Sequence, residues 1–151
     1  MKQIRIILVL TAVSLFSAAI LSLADKLTKD KIEENQKKAI NEAIMGIEPK
    51  TQKIEKKDEV YEIFDKNKKL LGFVFLAEGQ GYQGTIKIIC GLSASLDRLL
   101  GIEIIDSRET PGLGARINES WFKKQFSNLK VSTPVEYTKT KPTQDNQIQA
   151  I

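Results

Sequence analysis

The first hydrophobic pattern along the chain is an uninterrupted one. From Ile6 to Ala24 no residue is charged, and Lys2 and Arg5 stand just before the run. About 20 apolar residues at about 1.5 Å per residue match the ~30 Å hydrocarbon core of a bilayer. A transmembrane anchor over residues 1–24 is therefore expected. The competing reading is a cleaved signal peptide, because Ser22-Leu23-Ala24 has a small-x-small pattern; the length of the run favours the anchor. Charge does not orient it, since Lys2, Arg5 and the terminal amine lie on one side and Lys26, Lys29 and Lys31 on the other.

The pattern then becomes helical. Leu27, Ile32, Ala39, Ile40, Ala43, Ile44 and Ile47 recur at helical spacing, and Gly46 and Pro49 punctuate the end. This predicts a stalk helix from Asp25 to about Ile47, followed by a Lys-rich linker around Lys50–Lys57, the two together making residues 25–57. Beyond it the period shortens to two. Strands are predicted at Val60–Asp65, Leu70–Ala77, Gly84–Leu92 (Ile86, Ile88, Cys90 and Leu92 on one face) and Leu99–Asp106. Short polar turns at Asp65–Lys68 and Ser93–Arg98 make these an antiparallel meander. A helix at about Asn118–Phe126 should turn Ile117, Trp121, Phe122 and Phe126 toward the core. The run Lys130–Thr138 is strand-like but broken by Pro134, and the tail Lys141–Ile151 is polar until Ile148. The expected fold is α+β: an N-terminal transmembrane and stalk helix, then an antiparallel β-meander with a packed helix over 58–151.

Composition narrows the chemistry. The chain has 151 residues, 42% hydrophobic and 28% charged, with a net charge of +4. That fits one globular domain plus the N-terminal segment. No basic patch interleaves with aromatics, so nucleic-acid binding is not expected. One cysteine, Cys90, excludes an internal disulfide, and its apolar surroundings read as a structural thiol. The absence of histidine excludes His-based zinc sites and Ser-His or Cys-His nucleophile pairs. No catalytic or metal-ligating residues are assigned, and a stand-alone enzyme is not expected.

One loop carries candidate binding chemistry. Glu109-Thr110-Pro111-Gly112-Leu113-Gly114 leaves a strand end and leads toward a helix start, a usual place for ligand contacts on a rigid frame. Pro111 fixes one backbone angle, while Gly112 and Gly114 let the main chain lie close to a flat ligand. Leu113 offers an apolar contact, and backbone N–H groups can bond ring heteroatoms. The alternative is a plain strand-to-helix turn with Leu113 plugging the core.

Gly81-Tyr82-Gln83-Gly84 with its Ile86-Lys87-Ile88 strand, then Gly101-Ile102, then Glu109-Thr110-Pro111-Gly112-Leu113-Gly114 occur in that order. The set resembles the FMN-binding domain family, in particular the G subunit of the Rnf ion-translocating electron transport complex. A relative is the C subunit of the sodium-pumping NADH:quinone oxidoreductase. The resemblance implies a flavin-carrying electron-transfer protein of the bacterial cytoplasmic membrane, single-pass, with its domain on the extracytoplasmic side. It implies FMN as cofactor, other members of the complex as partners, and a flavin transferase that esterifies the FMN phosphate to a threonine in a Ser-Gly-Ala-Thr motif. Ile148-Gln149-Ala150-Ile151 resembles the segment before that motif. The acceptor threonine is absent from these residues, so a C-terminally incomplete domain is expected, and without the ester the flavin would be held by loop contacts alone.

Tyr82, Glu109, Thr110, Pro111, Gly112, Leu113 and Gly114 are accordingly the candidate cofactor-binding residues. Glu109 is expected to set local charge near the ring, so that Glu109→Gln raises the midpoint potential. Tyr82 either packs near the flavin or braces the loop. Arg116 is either a phosphate partner or an exposed helix-start arginine, and Trp121 is a core residue rather than a flavin stack. Two other functions stand beside the carrier: a membrane-anchored scaffold that has lost its flavin, and a domain binding another small molecule.

Overall fold

The computed structural model of the chain describes residues 2–151. The terminal amine weighed for topology, the first residue of the expected anchor and the side chain of Lys2 lie outside the described residues. The chain divides into two compact units, Met1–Lys38 and Ala39–Ile151.

Helix α1 runs Lys2–Ile47. Its part within the first unit is long and apolar enough to cross a membrane. Leu8, Leu15, Phe16 and Leu21 are all exposed, so this stretch is not the buried core helix of a soluble fold. After the apolar run, ion pairs at helical spacing line the surface, Lys37 to Glu33 at 2.9 Å and Lys38 to Glu34 at 2.7 Å. They hold the Glu33 and Glu34 carboxyls below the ordinary range, through hydrogen bonds from Lys37 and Lys38 first.

In the second unit, five antiparallel strands form a sheet in sequence order: β1 (Lys53–Lys57), β2 (Val60–Phe64), β3 (Leu70–Gln80), β4 (Thr85–Ser93) and β5 (Leu99–Asp106). The α+β meander expected from the pattern is what forms. One part of it differs: the stretch read as a Lys-rich linker contains β1. Ile54 pairs with Ile63 across the register, while the remaining β1 side chains are Lys or Glu on the sheet's edge, which hides the strand from any apolar alternation. The Asp65 carboxylate accepts the N–H groups of Asn67 and Lys69 and closes the β2–β3 turn at the predicted place.

The core lies on one face of this sheet. Ile44 from the end of α1 meets Ile63, Val74 and Ile89, all essentially fully buried, with Ile40, Ala43 and Ile47 around them. Each such burial contributes about 1.5–3 kcal/mol. Ile86, Ile88, Cys90 and Leu92 share the other face of β4, as their parity requires, but Ile89 is the deeper residue. Gly91 lets the helix approach: a Cβ there would lie 2.8 Å from Ile47 Cγ2.

After β5 come a 3-10 helix (Gly114–Asn118) and the short α2 (Ser120–Lys124). Glu119 is extended between them, so the expected helix over 118–126 is split and shortened. Trp121, Phe122 and Phe126 are half-buried, with Trp121 and Phe122 edge to face at 5.8 Å. The chain then makes a second, two-stranded parallel sheet from β6 (Glu136–Thr138) and β7 (Gln147–Gln149). Neither the full strand over 130–138 nor the plain polar tail describes it, because Pro134 delays β6 and β7 is only three residues of mostly polar sequence.

Candidate functional site

Two loops at neighbouring strand ends make the site. The first is the β3–β4 turn, Gly81-Tyr82-Gln83-Gly84, closed by the Gly81 N–H donating to the Gly84 carbonyl at 2.8 Å. The second follows β5. There the Thr110 carbonyl accepts the N–H groups of both Leu113 and Ala115 at 3.1 Å, and the Leu113 carbonyl accepts that of Arg116. Gly112 sits at φ +76°, a left-handed conformation that glycine adopts without penalty, and open space surrounds it. The turn that the Pro-Gly pair encodes is therefore held tightly at its base and open at its tip.

The two loops are joined. The Glu109 carboxylate accepts the Gln83 backbone N–H at 3.0 Å, and the Gln83 side-chain amide donates to the Thr110 hydroxyl at 2.6 Å. Both Glu109 oxygens face protein, one toward Gly81 and the other toward Gly114. Glu109, Thr110 and Gly114 are half-buried or at the boundary of the surface, whereas Pro111, Gly112 and Leu113 are exposed. Leu113 is 67% exposed, so it does not plug the core. Tyr82, at the tip of the joined turn, is 94% exposed and braces nothing within the fold.

Beyond the loop, the Arg116 guanidinium lies 5.4 Å over the Trp121 ring and its Nε is 3.4 Å from Glu119. Trp121 also donates its indole N–H to Glu119. Both side chains are thus engaged with each other. The Gln125 side chain accepts the Gln149 N–H at 2.6 Å and donates to its carbonyl at 3.2 Å. That pairing ties β7, and with it the segment Ile148–Ile151, to the helix that follows the ring-loop candidate.

The arrangement offers a set of donors beside an apolar tip. Among the described residues, nothing accepts the backbone N–H groups of Thr110 and Gly112. With the Thr110 hydroxyl and the exposed Leu113, they suit a flat heteroaromatic ring whose edge carries acceptors, which an isoalloxazine does. Residues 109–114 and Tyr82 stand on the two loops that the structure brings together. Gln83 was not singled out from sequence, although it lies in the Gly-x-x-Gly turn; a glutamine between two glycines carries no signal without its partner across the fold.

Comparison with known proteins points the same way. Residues 81–151 match the model of the FMN-binding domain family. The G subunit of the ion-translocating oxidoreductase complex of Methanosarcina acetivorans is 29% identical, over 85% of this chain and 74% of that protein. The G subunit of the Na(+)-translocating ferredoxin:NAD(+) oxidoreductase complex of Acetobacterium woodii is 30% identical, over 95% of this chain and 79% of its own length. The crystal structure of NqrC from Shewanella oneidensis superposes with a TM-score of 0.54 at 19% identity, over 70% of this chain; the chain spans 57% of that one. That likeness concerns the fold.

Proposed function

Because the chain belongs to the G-subunit family of ion-translocating oxidoreductase complexes, we propose that it is a membrane-anchored, FMN-carrying electron-transfer component of such a complex. The observation that carries this reading is the joined pair of loops at the start of the FMN-binding-domain match: an open Gly112, an exposed Leu113 and unengaged donors on Thr110 and Gly112.

FMN supplies the redox chemistry; it accepts and releases electrons one or two at a time. The chain's own residues would place it. Thr110 and Gly112 would donate to ring acceptors through their N–H groups, Leu113 would lie against the apolar face, and Gly112 would keep the backbone clear. Tyr82 is a second apolar contact from the facing turn. Glu109, Pro111 and Gly114 set the shape of the loop. No acid or base among them is asked to move a substrate proton, which fits a carrier rather than a stand-alone catalyst.

The finer parts of the reading rest on the resemblance. They are an extracytoplasmic domain over 58–151 on a stalk, a phosphoester link to a threonine made by a flavin transferase, and contact with the other members of the complex. The names of the relatives, all components of translocating complexes, support the last of these.

The test is to express the full reading frame, carrying the flavin-attachment motif, with a flavin transferase in a membrane-bearing host and record the visible spectrum of the purified protein. A flavin band that bleaches on reduction and returns on reoxidation is the expected result. A colourless protein that still co-purifies with membrane partners would replace this reading with the scaffold.

A further inference from the structure

The turn at residues 81–84 and the loop at 109–114 could each have formed alone, yet two side chains lock them together. Gln83 sits 26 residues before Glu109 and bonds it through the backbone, and its amide reaches Thr110. Glycine makes room for this. A Cβ on Gly114 would lie 2.6 Å from one Glu109 oxygen, and a Cβ on Gly81 would overlap the other. The carboxylate fills space that two glycines leave empty, and it is turned into the fold.

The second bond has a direction. The Gln83 amide nitrogen can only donate, so the Thr110 oxygen accepts, and the hydroxyl hydrogen must point elsewhere. A threonine hydroxyl left free would rotate and both donate and accept. Here it is set as a donor, alongside the N–H groups of Thr110 and Gly112. Resting on the FMN reading above, we propose that Gln83 and Glu109 are positioning residues. They form a clasp that fixes the ring loop and commits the Thr110 hydroxyl to donate to a flavin acceptor, without themselves touching the ring.

The distinction from an electrostatic role is testable with the full chain in detergent and added FMN. Two readouts are taken: hydrogen exchange at the backbone amide of position 83 without flavin, and iodide quenching of bound-flavin fluorescence. Glu109→Gln keeps an acceptor of the same size and should match wild type in both. Glu109→Ala should lose the amide protection, let quenching rise toward that of free FMN, and weaken FMN binding about tenfold, as the loss of one net hydrogen bond implies. The swap Glu109→Gln with Gln83→Glu conserves net charge and the first bond but leaves only acceptors on the side chain at position 83. It should keep the amide protection yet lose the shielding, because Thr110 must then donate backward.

Wild-type shielding in Glu109→Ala or in the swap would overturn the proposal, as would a Glu109→Gln chain as damaged as Glu109→Ala. A wild-type chain that shields no FMN would overturn both the flavin reading and the positioning role, while amide protection at position 83 would still report whether the clasp exists.

Discussion

The Lys123 ammonium lies 2.6 Å from the Glu103 carboxylate, both side chains about four-fifths buried, and so fastens α2 to β5. A Cβ on Gly46, near the end of α1, would lie 3.3 Å from Glu103 Oε1. One ion pair thus sits where helix end, sheet and α2 converge. Removing one partner strands a charge with little water around it. Lys123→Met should cost about 1–2 kcal/mol, between the values for exposed and buried pairs. Combined with Glu103→Gln it should cost less than the two singles together, a non-additivity that a denaturation double-mutant cycle would reveal.

Asn146 holds the C-terminal segment. Its buried amide donates to the carbonyls of Lys130, Thr133 and Pro134 and its oxygen accepts the Lys130 N–H at 2.6 Å. Asn146→Ala should destabilise the protein by about 2–4 kcal/mol, since several backbone groups lose their partners at once. Asn146→Gly removes the cost of the positive φ of 65° but not the lost bonds. It should be nearly as unstable in a thermal melt.

Gly91→Ala should cost about 1–3 kcal/mol by overpacking against Ile47. Adding Ile47→Leu, which withdraws the offending γ-methyl, should restore part of it. An undiminished loss in the double variant would place the cause elsewhere.

Gly112→Ala meets open space, so its penalty is conformational, about 1 kcal/mol from the left-handed backbone. The melting temperature should fall slightly. Flavin retention should fall much more, because the new methyl stands where the ring is expected.

Burial pushes the Cys90 thiol above its ordinary value of 9.0. A value raised on folding contributes stability that is complete below the unfolded thiol's pKa and is lost as pH rises through the folded one. Wild type should therefore lose stability relative to Cys90→Ala above about pH 9, where an unfolded thiol ionises and the buried one does not. Urea midpoints of the two chains across that range would show it. The native thiol should also resist alkylation until the domain unfolds.

Much of the fold was legible because β2 to β5 are short runs rich in apolar and β-branched residues, separated by turns with Asp, Asn and Gly at the right places. The sheet's inner face was harder. β4 reads Ile86-Lys87-Ile88-Ile89-Cys90, apolar at both parities, so the pattern could not tell that Ile89 is the deeper residue. Strand β7 is too short and polar to announce itself. Within the site, the turn at residues 109–114 was readable from Pro111 and its glycines, since local backbone demands show in local sequence. The clasp was not, because Gln83 and Glu109 acquire meaning only once the β3–β4 and β5 ends lie side by side.

Strand β1 has a consequence for how the protein keeps company. It forms one border of the sheet, and every residue there but Ile54 is Lys or Glu. A foreign segment zipping onto that border would bring its backbone among these charges, strip their water and gain few apolar contacts. Association by strand addition, the usual hazard of an open sheet edge, is thereby discouraged along β1. A neighbour that meets the domain at this border must recognise its side chains rather than its open backbone.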